Sequence, residues 1–286
     1  MGFRKVRKNW DSYMIVLERL NGYSGCEVYL LEGFGKTFVR KFCKQEYAQR
    51  LKIQAEKQIQ FKSLYVKTPK IFSYNSCIED KYFIEMEFVN GLHFNDYILR
   101  KDLFQIKKIV ENLIDDILKR EELDNIDTNS VKIKLDSLKK FCDSSEKKKS
   151  LKYLYDFDWN LIKNSYCHGD LTFENILVKN DEIYLIDFLD SFIDTKYIDI
   201  AKILQDIDVY WSLRNKEIDS NLLIRYQIIK KLLLDKLNKE EKKICYTLLL
   251  INLLRILPYV SDEKTNNFLQ KKIEYVNYIL EENIYE

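Results

Sequence analysis

His168, Gly169, Asp170 and Asn175 fall within eight consecutive residues, and Asp187 follows twelve positions after Asn175. They sit in Cys167–Phe188, which reads C-H-G-D-L-T-F-E-N-I-L-V-K-N-D-E-I-Y-L-I-D-F. Within it, Ile176–Lys179 and Glu182–Phe188 are β-rich, and Asn180-Asp181 between them is a hairpin signal. A symmetric turn there places Asn175 opposite Ile186 and beside Asp187, so Asp170, Asn175 and Asp187 converge from one hairpin. Their oxygen donors suit a hard divalent ion such as Mg2+, which keeps several waters and shares its other sites with phosphates. An Asn and one Asp on the metal leave another Asp free to accept a hydroxyl proton.

The elements upstream must supply a floor and a roof for that chemistry. Tyr13–Leu17, Glu27–Leu31 and Thr37–Phe42 read as strands. Between the first two, Gly22, Ser24 and Gly25 form a small-residue loop whose backbone can approach and cover phosphates. On Phe38–Phe42, Arg40 and Lys41 are adjacent cations, and only one of them can face that loop because successive strand side chains alternate. Gln45–Leu64 reads as a helix with Glu56 in its middle, and a strand cation paired with a helix Glu positions nucleotide phosphates in kinases. Pro69–Tyr74 and Tyr82–Val89 complete five strands around one helix, and Met86–Gly91 is a connector with backbone groups available to an adenine edge. From Leu92 onward the apolar spacing becomes helical, as in Leu103, Ile106, Val110, Leu113, Ile114 and Ile117. Asp124–Ser150 is lysine-rich, and its Leu135 and Leu138 predict a helix followed by a mobile loop.

Composition narrows the function classes. The 286 residues are 46% hydrophobic and 32% charged, a globular balance. Lys and Arg number 47 against 45 Asp and Glu, which does not indicate nucleic acid as a partner. Six scattered cysteines without a C-x-x-C pair, and only two histidines, argue against a zinc site and for reduced thiols in a cytoplasmic protein. The N-terminus lacks an apolar signal core, and Leu248–Val260 is interrupted by Asn252, Arg255 and Pro258, so a buried helix is expected rather than membrane insertion.

In this order the pieces resemble the aminoglycoside phosphotransferase/choline kinase-like family, over about Leu17 to Leu204 and most closely at His168–Asn175 and Tyr184–Asp199. Ile186–Asp194 is also similar to members associated with bacterial surface-glycan gene sets. The resemblance implies an α+β, bilobal protein-kinase-like fold. Residues 1–90 would form a small antiparallel-sheet lobe with one helix, and 91–286 a larger helical lobe carrying the catalytic loop and hairpin. It implies Asp170 as base, Asn175 and Asp187 as magnesium ligands, Arg40 and Glu56 as the cation–carboxylate pair, and the backbone of Glu87 and Val89 at the adenine. ATP is the implied co-substrate, with GTP also compatible. Asp199 would buttress the catalytic loop, and His168 would organise it.

The acceptor is less defined. No Ala-Pro-Glu follows Asp187, and only twelve positions separate it from Asp199, which leaves no room for a peptide-binding activation segment. A small hydroxyl compound is expected, a sugar or polyol first. Thr172-Phe173-Glu174 replaces the family's usual His-Pro filler, and Leu189-Asp190 shifts an acidic position by one residue. Glu174, Asp190, Asp206 and Trp211 are the residues expected around the acceptor, and the acidic and aromatic character of the last two also suits choline, ethanolamine or an aminoglycoside. A nucleotide-binding pseudokinase scaffold is the non-enzymatic alternative.

Overall fold

A computed structural model describes residues 14–20, 26–78, 80–216 and 219–285. The Gly22, Ser24 and Gly25 loop therefore lies outside the described residues.

The N-terminal lobe is a five-stranded antiparallel sheet crossed by one helix. Strands β1 (Met14–Leu20), β2 (Glu27–Gly33) and β3 (Lys36–Lys44) form a meander, and α1 (Ala48–Gln60) follows a single 3-10 turn. After the short β4 (Val66–Lys67), strands β5 (Ile71–Ile78) and β6 (Lys81–Glu87) complete the sheet in the order β1-β2-β3-β6-β5. The β2–β3 turn uses Phe34 and Gly35, both at positive φ (52° and 71°), as a tight hairpin between twisted strands requires. Alternation along β3 sorts its side chains onto two faces. Val39 and Cys43 pack with Leu51 and Ala55 of α1, whereas Phe38 and Phe42 join Tyr29, Leu31 and Phe83 on the other face.

The C-terminal lobe is helical. It comprises β7 (Leu92–His93), α2 (Phe94–Arg100), α3 (Leu103–Leu118), β8 (Glu122–Asn125), α4 (Thr128–Leu138), α5 (Ser145–Asp156), β9 (Lys163–Ser165), β10 (Ile176–Lys179), β11 (Glu182–Leu185), α6 (Lys196–Ile207), α7 (Ser220–Asp235), α8 (Lys239–Leu254) and α9 (Glu263–Glu282). Ile106, Ile109, Val110, Leu113, Ile114 and Ile117 bury the predicted face of α3, while Leu103 at its first turn stays half exposed. The loop predicted after Leu138 is instead mostly α5. Ser144 caps its start by accepting from the Lys147 amide, and Leu151 and Leu154 bury its inner face. Helix α8 is buried without a break from Ile244 to Leu254 and packs against α6 and α9. Among the described residues no helix is long and apolar enough to cross a membrane.

Candidate active site

The β10–β11 hairpin folds in the register its turn residues dictate. Asn180 and Asp181 sit at φ 52° and 59°, Ile176 pairs with Leu185, and the Ile186 amide donates to the Asn175 carbonyl at 3.0 Å. This sets Asn175 beside the backbone of Asp187, which itself takes φ 66°. The Asn175 Nδ2 donates to the Asp170 carbonyl at 2.8 Å, which leaves its Oδ1 to accept or ligate. Asn175 Oδ1 and the Asp187 carboxylate are hard oxygen donors, so the pair fits Mg2+.

The loop carrying Asp170 is held from beneath by one face of α6. Asp199, fully buried, accepts from the His168 amide (2.7 Å) and the Gly169 amide (2.9 Å), and Arg120 donates to it at 2.5 Å. One turn on, Lys202 Nζ reaches Asp170 Oδ1 at 3.0 Å. Two turns on, the buried Asp206 accepts from the Phe173 amide at 2.7 Å. Gly169 takes φ 87°, and a Cβ there would lie 2.2 Å from the Leu189 carbonyl oxygen, so only glycine fits.

His168 is buried and makes two bonds of opposite sense. The Asp170 amide donates to its Nδ1 (3.2 Å), so the ring proton sits on Nε2 and is donated to the Ile186 carbonyl (2.7 Å). Burial, which outweighs the nearby carboxylates, holds its pKa below the ordinary value, in keeping with a neutral imidazole that organises the loop. For Asp170, burial alone would raise the pKa. The charge and hydrogen bond of Lys202, with smaller contributions from His168 and Arg255, reverse that and keep it below the usual carboxylate value. Asp170 is thus a carboxylate ready to accept a proton.

Between the lobes lies a cleft of about 630 Å3, a size that accommodates a cofactor. Lys41, Met86–Gly91, Glu174, Asn175 and Asp187 line it, with Glu18, Arg19, Leu20 and Val28 from the strands that flank the glycine loop. Lys41 Nζ contacts Asp187 Oδ1 across the cleft. Within the connector, the Glu87 amide is used by the Lys70 carbonyl (2.8 Å) and the Val89 carbonyl by the Gly91 amide (2.9 Å). The Val89 amide has no hydrogen-bond partner among the described residues.

Several expected placements are corrected. Arg40 points away from the cleft, because on β3 it shares the face of Phe38 and Phe42. It packs 4.6 Å from the Phe83 ring centroid and pairs with Glu85, its cross-strand neighbour, at 2.9 Å. Lys41 is the strand cation that faces the cleft. Glu56 does not meet either one. It lies one turn from Lys52, its ion-pair partner at 3.8 Å, and lines a second cavity of about 590 Å3 behind the catalytic loop. Asp190 faces that same cavity rather than Asp187's side. There Lys57 bonds Asp194 (2.6 Å) and the Leu189 carbonyl (3.1 Å). Asp206 shares a helix face with Asp199 as expected, but that face packs under the loop and not into the cleft. Trp211 is stacked under Arg214 at 3.9 Å and against Phe268.

Sequence reasoning missed Lys202, Arg120 and Arg255. Lys202 could have been found from its i+3 spacing to Asp199 on a helix that already carries a loop-facing residue. Arg120 meets the Asp199 that holds the loop only through tertiary packing, and Arg255 acts on Asp170 by charge alone.

Residues 16–227 match the family described as the phosphotransferase enzyme family. No curated protein sequence is significantly similar to the chain. Solved structures share its fold at low identity. A thermostable mutant of aminoglycoside phosphotransferase APH(4)-Ia, in ternary complex with AMP-PNP and hygromycin B, has a TM-score of 0.65 at 11% identity, covering 92% of each chain. A mutant aminoglycoside 2′-phosphotransferase IIIa bound to GDP has a TM-score of 0.60 at 13% identity, covering 95% of this chain and 92% of that one. A protein from Haemophilus somnus 129PT, provisionally named a fructosamine-3-kinase, has a TM-score of 0.51 at 16% identity, covering 92% and 90%.

Proposed function

Because this chain belongs to the phosphotransferase enzyme family and is a small-molecule kinase, we propose that it transfers the γ-phosphoryl group of ATP to a hydroxyl of a sugar or polyol. Residues 1–90 act as the nucleotide lobe and 91–286 as the lobe that carries the catalytic loop and the acceptor. The observation that carries this reading is the arrangement on the cleft floor. A carboxylate kept ionised by Lys202 lies beside the oxygen pair Asn175 and Asp187, with Lys41 facing them from the sheet.

Asp170 accepts the proton of the acceptor hydroxyl as the oxygen attacks phosphorus. Lys41 holds the nucleotide phosphates, and the Val89 amide donates to the purine edge. Asn175 and Asp187 would hold Mg2+, which when bound would neutralise phosphate charge. Phosphoryl transfer depends chiefly on positioning, so His168, Asp199 and Asp206 act by fixing the loop that carries the base. Bound ADP, AMP-PNP and GDP in the structural neighbours support a purine nucleotide here, and an ATP-dependent reaction is in keeping with a cytoplasmic protein.

An ADP-release screen with Mg-ATP across sugars, polyols, choline, ethanolamine and aminoglycosides tests the reading, with Asp170→Ala as control. Turnover that survives that substitution overturns the assignment of the base. Nucleotide binding with no turnover on any acceptor favours a pseudokinase scaffold instead.

A further inference from the structure

We infer that Lys57 is a positioning residue for Asp187, and that α1 acts on the site through this cation and not through Glu56. The inference rests on the phosphotransfer reading above, which assigns Asp187 to Mg2+. The backbone around Asp187 is tied on both sides. Before it, the Ile186 amide donates to the Asn175 carbonyl at 3.0 Å, and the Ile186 carbonyl accepts from His168 Nε2 at 2.7 Å. After it, the Leu189 amide donates to the His168 carbonyl at 3.0 Å, and the Leu189 carbonyl accepts from Lys57 Nζ at 3.1 Å. Three of these four bonds come from the catalytic loop. Lys57 supplies the fourth, from the other lobe.

The Lys57 side chain is 12% exposed, and its three N–H donors have three acceptors. These are Asp194 Oδ1 at 2.6 Å, the Leu189 carbonyl, and Cys167 Sγ at 3.5 Å. The Cys167 thiol in turn donates to Asp194 at 3.2 Å. Gly169 leaves room for the contact, since a Cβ there would lie 3.4 Å from Lys57 Nζ. At the C-terminal end of α1, Phe61 packs edge-on against Phe188 with ring centroids 5.2 Å apart. Lys57 and Phe61 are four residues apart, so one face of the helix meets the segment that follows Asp187. Glu56 lies about 100° round the helix and pairs with Lys52.

Asp187 contacts Lys41 across the cleft, and in the phosphotransfer reading it also offers oxygen to Mg2+. Its side chain is 43% exposed, and its backbone takes φ 66°, a left-handed conformation that is strained for any residue but glycine. The bonds at Ile186 and Leu189 hold that conformation and so aim the carboxylate. Losing a bond that supports a metal ligand weakens metal affinity about ten-fold or more. Without Lys57, the Leu189 carbonyl and Asp194 both lose their tie to α1.

The test uses the full chain as wild type, Lys57→Met, Lys57→Arg and, as a control on the same helix, Lys52→Met. AMP-PNP binding is titrated calorimetrically with and without Mg2+. ADP release is followed against Mg2+ concentration on the acceptors of the screen above. Lys57→Met should bind AMP-PNP without Mg2+ as wild type does, which also reports that it is folded. It should need about ten-fold more Mg2+ for half of its binding response and half of its maximal rate. Below Mg2+ saturation, the loss should fall on kcat and leave the acceptor KM unchanged. Lys57→Arg can still donate to both the Leu189 carbonyl and Asp194, so it should recover most of the Mg2+ response. Lys52→Met should match wild type. A Mg2+ response in Lys57→Met equal to that of wild type overturns the inference, as does a defect that Lys57→Arg leaves unrelieved. Weakened AMP-PNP binding without Mg2+ in Lys57→Met overturns it too, by making Lys57 a structural residue. A Lys57-dependent Mg2+ response in binding, without ADP formation from any acceptor, overturns the kinase reading alone.

Discussion

Asp199 and Asp206 lie two turns apart on one face of α6, and each closes a different end of the loop that carries Asp170. Asp199 takes the amides of His168 and Gly169, and Asp206 takes the amide of Phe173. Lys202, between them, touches Asp170 itself. A single helix thereby fixes both the path of the loop and the charge state of its central carboxylate.

Asp170→Asn should lower kcat by about a thousand-fold, the usual worth of a general base, with nucleotide affinity retained. Steady-state kinetics alongside nucleotide titration separate the two quantities.

Lys41→Met and Arg40→Met should have opposite signatures. The first should raise the nucleotide KM at least about ten-fold, since it removes the cation that faces the cleft. The second should leave nucleotide affinity nearly unchanged and cost about 2 kcal/mol of stability, because Glu85 loses its charged hydrogen-bond partner. Denaturant midpoints and nucleotide titrations on both variants check this. A nucleotide defect in Arg40→Met would contradict the face assignment.

Asp206 gives the fold a pH dependence of unusual sign. Burial raises its pKa from the ordinary 3.8 to about 6, against the opposing hydrogen bond from Phe173. Folded Asp206 therefore binds its proton more tightly than the unfolded chain does. Its favourable contribution is full below pH 3.8 and is lost as pH rises through about 6, amounting to about 3 kcal/mol. Asp206→Asn keeps an acceptor for the Phe173 amide without the ionisation. Its thermal midpoint should exceed wild type at pH 7, and the decline between pH 4 and 6 should flatten.

Gly169→Ala should cost about 3 kcal/mol, through the strained φ and the clash with the Leu189 carbonyl, and should disable the loop. Thermal unfolding and activity should fall together. An active variant of wild-type stability would contradict the close approach.

Asn175→Ala should raise the Mg2+ concentration for half-maximal rate about ten-fold, as loss of an oxygen donor requires. Titrating Mg2+ at saturating nucleotide measures it, and EDTA should abolish turnover of the wild type.

Much of this site was legible locally. Asn180-Asp181 selects a two-residue turn, and that turn alone sets Asn175 against Ile186, so the meeting of Asn175 with Asp187 required no knowledge of the rest of the chain. The strand period likewise established that Arg40 and Lys41 face opposite ways, and the helical period that Asp199 and Asp206 face the same way. In both cases the pattern left open which way that is. Arg40 was assigned to the cleft by its place in the family pattern, but the packing of α1 over Val39 and Cys43 put Lys41 there instead.

The sequence by itself determined the order of the chemical groups, the hairpin register and the relative faces of neighbouring residues, because these follow from backbone geometry within a few residues. Only the tertiary structure decided which face looks into the cleft and which cations reach Asp170. Arg40 is drawn out to Glu85 and the aromatic cluster, Asp206 is buried under the loop, and Lys202 reaches Asp170 from α6. Those outcomes depend on how whole elements pack, and packing joins residues with no fixed separation along the chain.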